Sequence, residues 1–134
     1  MILARSTLIK EASNILYKNR VNAKIMSSIL KTVPREKAFY FFTSIGNYTG
    51  ESASSLKEFM EKINEVNVKS LEFHLYRGDF EKWVNEVLQD KELAAEIRRL
   101  HGLNVVSDAL RIQLFAAVSR RYKRLTSQFN PTIV

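Results

Sequence analysis

The sequence predicts an all-α protein, a single domain folded as a bundle of about seven helices with basic helices at both ends. Three observations carry that expectation. Apolar residues recur at three- and four-residue spacing along nearly the whole chain, the mark of helices that each bury one face. Ser, Asn, Asp and Gly stand where those runs begin and end, as helix caps do. A chain of 134 residues without a long linker or low-complexity tract is enough for one core, since folding at this size removes roughly two thirds of the unfolded surface from water.

Taken in order, Ser6 or Thr7 starts a first helix through about Asn19, with Leu8, Ile9, Ala12, Ile15 and Leu16 on one stripe. Asn22 starts a second, with Ile25, Met26, Ile29, Leu30 and Val33 facing inward. Pro34 ends that run and suits the first position of a third helix, where a missing N–H has no partner to lose. The continuous run Ala38 to Phe42 fits a buried helix or a buried strand. A lone strand would lack a partner, so residues 38–45 are expected to be a buried helix stopped by Gly46.

NYTGESASS, at 47–55, is expected to be a loop, holding Gly50 among Asn, Thr and Ser just after Gly46. Ser55 and Glu58 then match a capping box ahead of Leu56, Phe59, Met60, Ile63 and Val66. Asn67 opens a short helix that Gly78 stops, and Asp79 caps the next, whose inner face carries Phe80, Trp83, Val84, Val87 and Leu88. Asp90 caps KELAAEIRRL, which ends at Gly102. The last helix runs from Val105 or Ser107 to Leu125. At roughly 100° per residue its apolar side chains share an arc of about 140°, and Arg120, Lys123 and Arg124 project from the far side.

The net charge of +7 is unevenly laid out. Residues 1–50 sum to +6, residues 51–97 to −5 and residues 98–134 to +6. The division is thus a basic 1–33, an acidic core 34–100 and a basic 101–134. Two basic ends around an acidic middle either neutralise one another on folding or across a dimer, or present cations to phosphate or an acidic protein. The residues expected to do the latter are Arg98, Arg99, Arg111, Arg120, Arg121, Lys123 and Arg124. Were their guanidinium and ammonium groups found matched to Glu and Asp within the fold, that reading would lose its basis.

No apolar run approaches the roughly 18 residues of a membrane span. Lys10 and Glu11 follow a very short apolar stretch with no small-residue cleavage pattern, so no signal peptide is expected, and the lack of cysteine suits a cytoplasmic protein. There is no phosphate loop or dinucleotide fingerprint, the glycines at 46, 50, 78 and 102 being too scattered. His74 and His101 are too isolated to predict a metal site, no cofactor is expected, and Glu58, Glu61 and Glu65 read as a solvated face.

SLEFHLYRGDFEKWV, residues 70–84, concentrates the remaining chemistry. His74 could act as acid or base with Asp79 or Glu72 orienting it, but that needs a nucleophile, metal or electrophile that the sequence does not offer. The structural reading needs nothing more: Asp79 caps its helix, Arg77 pairs with a carboxylate, and Phe80 and Trp83 anchor the core. No catalytic residue is therefore assigned.

Across PREKAFYFF, IGNYTGESASSLKEF, SLEFHLYRGDFEKWV and DKELA, residues 34–100 resemble an uncharacterised, mainly archaeal family of small helical domains. The resemblance implies an all-α fold without an established activity, sometimes appended to larger proteins, including some of carbohydrate metabolism. It draws attention to Tyr48, Thr49, Gly50, His74, Arg77, Asp79 and Trp83. Two functions compete. One is a non-enzymatic accessory protein whose basic terminal helices engage nucleic acid or an acidic protein; the other is a regulatory module that binds a ligand or a metabolic enzyme through the 47–52 segment and the His74–Arg77–Asp79 corner. An enzyme with an unrecognised site at His74 ranks third.

Overall fold

The computed structural model describes residues 2–129, with side chains from 9 to 127. It is mostly helical, with six helices and one small antiparallel sheet, so the expected purely α bundle of about seven helices is corrected. Helix α1 spans Ile2–Leu30, merging the two helices expected there. A 3-10 turn, Arg35–Lys37, takes the place of the helix expected after Pro34. Strands β1 (Phe39–Ser44) and β2 (Asn47–Ala53) follow as a hairpin. The remaining helices are α2 (Leu56–Glu65), α3 (Val68–Arg77), α4 (Asp79–Glu86), α5 (Lys91–Gly102) and α6 (Ser107–Phe129).

The hairpin replaces both the buried helix expected at 38–45 and most of the loop expected at 47–55. Its logic is local. Aromatic residues favour the pleated surface, and in β1 Phe39 and Phe41 turn inward while Tyr40 turns to solvent. The partner strand is hidden in a polar segment. Gly46, at φ +82°, makes the turn, and Gly50, at φ +86°, makes a bulge between the Tyr40↔Ser52 and Phe42↔Tyr48 pairs. Thr49 repairs that bulge, its hydroxyl donating to the Phe41 carbonyl at 2.7 Å and accepting from the Glu51 N–H at 3.1 Å.

Caps fix most of the later boundaries. The Ser55 hydroxyl accepts from the Glu58 N–H at 3.1 Å, and Glu58 reaches back to the Ser54 N–H at 3.0 Å. Asn67 accepts from the Lys69 N–H, Gly78 closes α3 in the left-handed region, and Asp90 accepts from the Leu93 N–H. Arg111 reaches from α6 to the last carbonyls of α2, donating to Ile63 at 2.7 Å and Val66 at 2.9 Å, where a cation also faces the negative end of the helix.

The core forms where α2 and α3 cover the hairpin, with α6 behind them and α4 packed on α5. Among the described residues, helix α1 joins this body through its C-terminal end, against α2 and α6, where Ile29 is buried and Met26 and Leu30 are half-buried. The apolar stripe expected to be buried earlier in α1 is bare. Residues 9 to 25 are all exposed, among them Ile9 (66%), Ile15 (58%) and Leu16 (58%). Ile25, expected to face inward, is exposed as well.

Candidate functional site

The stretch at 70–84 folds as a corner, α3 meeting α4 at Gly78, and His74 is its hub. His74 is buried, its ring packed edge-on against Phe39 and Phe73. Its Nε2 accepts from the Phe42 N–H at 2.8 Å, so the ring proton lies on Nδ1, which donates to Asp79 Oδ2 at 2.8 Å. The histidine thus fastens helix to strand. Phe42 N–H points away from β2, and His74 supplies the acceptor that a third strand would have supplied.

Asp79 is the first residue of α4, but its carboxylate is not the cap expected of it. It accepts a hydrogen bond from His74 Nδ1–H and pairs with Arg77 Nε, the latter at 3.3 Å, while Arg77 also lies over the Phe73 ring, 4.8 Å from its centre. Trp83 donates from Nε1 to the Lys37 carbonyl at 2.7 Å and so ties α4 to the 3-10 turn. Tyr48 packs on Phe42 and Tyr40. With both nitrogens engaged, His74 offers no free lone pair to a substrate, and Glu72 lies elsewhere, accepting from the Ser107 N–H.

Burial holds the His74 imidazole below its ordinary pKa, and the Asp79 carboxylate opposes the shift only in part. Protonation would also turn the acceptor toward Phe42 into a second donor. The unfolded chain therefore binds this proton more readily than the folded one once pH falls below about 6.5, and stability falls with it. The thermal midpoint is expected to be flat in this respect above that pH and to decline below it. His74→Gln should weaken the decline; equal slopes for the two proteins would show that His74 is not the group responsible.

A cleft of about 340 Å³ opens beside the corner, lined by Tyr40, Phe42, Ile45, Phe73, Arg77 and Asp79. Ile45, at the hairpin tip, is 85% exposed. A larger groove, about 700 Å³, runs between α5 and α6 and holds Arg120, Arg121, Lys123 and Arg124 with Glu92 and Glu96.

That groove shows where the expected phosphate-binding residues go. Arg121 reaches the buried Asp90 at 2.9 Å and Glu92 at 2.9 Å, and Arg124 reaches Glu92 at 2.6 Å. Arg98 pairs with Glu81 at 2.8 Å, Arg99 with Glu96 at 3.2 Å, and Arg111 is spent on α2 carbonyls. With Arg111 held by those carbonyls, Arg120 and Lys123 are the two of the seven left with neither an ion pair nor a side-chain hydrogen bond among the described residues, and both are exposed. The acidic middle has drawn in the C-terminal cations.

The N-terminal cations fare differently. Lys10, Lys18, Arg20 and Lys24 stand on the exposed part of α1 with no ion pair among the described residues and one carboxylate, Glu11, on the same helix. His74 and His101 each face a carboxylate of their own, Asp79 and Glu81, and no group of three or more metal-ligating side chains occurs among the described residues.

The sequence between residues 34 and 131 matches a family of unknown function, DUF5752. The chain belongs to the DUF5752 family. Searches of curated proteins and of solved structures gave no match. The DUF5752 match covers the hairpin, the corner, the cleft and the α5–α6 groove, whereas α1 precedes it. It also reaches beyond the 34–100 stretch that carries the resemblance, taking in α6.

Reading the sequence missed three parts of this arrangement. The cleft residues Phe39, Tyr40, Phe42 and Ile45 were hidden by the helix expected there, although the run of four aromatic residues from Phe39 to Phe42 was a signal for a strand. Asp90 and Glu92 as the seat of Arg121 had no local signature, being about thirty residues away. The isolation of α1 could have been suspected from its cations, which have almost no acids at helical spacing to answer them.

Proposed function

We propose that this chain is a non-enzymatic binding module in which the DUF5752 body mounts α1 as a basic arm for an acidic macromolecule. One observation carries the reading: residues 9 to 25 of α1 stand clear of the body with Lys10, Lys18, Arg20 and Lys24 unanswered by carboxylates among the described residues. Over this length the arm offers about 25 Å of helix. A row of exposed cations attracts polyanions over roughly a Debye length and is screened by salt. The C-terminal cations support the reading less, because Arg98, Arg99, Arg121 and Arg124 already pair with carboxylates of the same chain.

Retention on an immobilised polyanion tests it. The protein is expected to bind at low salt and to elute as salt rises. Lys18, Arg20 and Lys24→Glu together should bring elution to markedly lower salt, while Arg98 and Arg99→Ala should change it little. Unaltered elution of the arm variant would sink the reading.

The cleft favours a second reading, in which the module binds a small apolar ligand or a partner's side chain. Its support is the wall of Tyr40, Phe42, Ile45 and Phe73 with Arg77 and Asp79 at the rim. Phe73→Ala and Ile45→Asp would then abolish association with the bound partner while leaving polyanion retention unchanged.

A further inference from the structure

The arm carries more than charge. At roughly 100° per residue, Ile9, Ala12, Ile15, Leu16 and Ala23 share an arc of about 120° with Met26 and Leu30. Met26 and Leu30, together with the buried Ile29 about 60° further round from Met26, are the residues by which the arm packs on the body. One face of α1 therefore packs against the body at its C-terminal end and, interrupted by Asn19, continues outward uncovered through Leu16 and Ile15 to Ile9, all three of them more than half exposed. Arg20 and Lys24 edge that stripe.

Resting on the reading of α1 as a binding arm, we infer that the uncovered stripe docks an amphipathic helix of another protein whose apolar seam is flanked by Asp and Glu. Two arguments select that occupant. The stripe is continuous with a face that already packs against protein, so its geometry suits a further helix laid alongside it. Its edge is cationic, and the complement of Arg20 and Lys24 is a row of carboxylates.

The same features disfavour the alternatives. A second copy of α1 would bring Arg20 and Lys24 together with only Glu11 on each helix to answer them. A membrane surface calls for one apolar and one polar face, yet Tyr17, Val21 and Ile25 form a second exposed apolar ridge, with Lys18 at its side. Nucleic acid would satisfy the cations through phosphate and leave Ile15 and Leu16 in water.

The test uses the full chain and two synthetic helical peptides sharing one leucine seam, one flanked by glutamates and the other by lysines, alongside a single-stranded polynucleotide. The glutamate peptide is expected to bind at least about tenfold more tightly than the lysine peptide, tenfold being about 1.4 kcal/mol. Ile15→Asp with Leu16→Asp should lose that binding, as should Lys18, Arg20 and Lys24→Glu; because these side chains are exposed, an unchanged thermal midpoint shows that the variants are folded. Equal binding of both peptides, or indifference to the stripe substitution, overturns the inference. Polynucleotide binding lost only with the cations would overturn it while leaving the basic-arm reading standing. Stripe-dependent self-association overturns it in favour of a second copy. Failure of every probe, together with unaltered polyanion retention in the arm variant, removes both.

Discussion

Asp90→Ala is expected to destabilise the fold by about 3–5 kcal/mol, because it strands a charge that the body has enclosed. Asp90 is only 1% exposed and does two things at once. One carboxylate oxygen caps α5 through the Leu93 N–H, and the other meets Arg121 Nε at 2.9 Å. Loss of the cap alone accounts for about 1 kcal/mol. The rest comes from Arg121, which is mostly buried and would keep only the exposed Glu92 as partner. Asp90→Asn retains an acceptor for Leu93 but not the charge, so it should fall between wild type and alanine. Urea unfolding of the three proteins measures the series. An alanine variant within about 1 kcal/mol of wild type would show that the pair is solvated and contributes as little as a surface bridge.

The same pair explains why charge layout was legible while its consequence was not. Basic ends and an acidic middle are plain in the sequence, and so is the possibility that they neutralise one another. Which end is neutralised depends on packing: α6 lies against α5, bringing Arg121 and Arg124 to Asp90 and Glu92, whereas residues 9 to 25 of α1 are exposed. Local signals fared well where one residue decides the matter. Ser55, Asn67, Gly78 and Asp90 all stand at real helix ends, because each is read through hydrogen bonds within four residues. They failed where the partner is remote. Asp79 looks like a cap until His74 and Arg77, carried to it by the corner, claim its carboxylate.

The hairpin is the plainest case of a fold decided by pairing, and Phe41 is where it can be tested. As a strand, β1 must show alternate sensitivity; as a buried helix it would not. Phe41 is fully buried among the rings of Phe39, Phe59, Phe80 and His74, with centroids 4.9 to 6.3 Å away. Removing it leaves a cavity between the sheet and the helices that cover it, and Phe41→Ala is expected to lower stability by about 3–5 kcal/mol. Its neighbour Tyr40 points outward, touching Tyr48 and donating to the Arg35 carbonyl. Tyr40→Ala should cost about 1 kcal/mol, in the range of a cross-strand pair and one exposed hydrogen bond. Thermal or urea unfolding of both variants gives the contrast. Comparable losses at 40 and 41 would contradict the alternation, and with it the strand edge on which His74 closes its bond to Phe42.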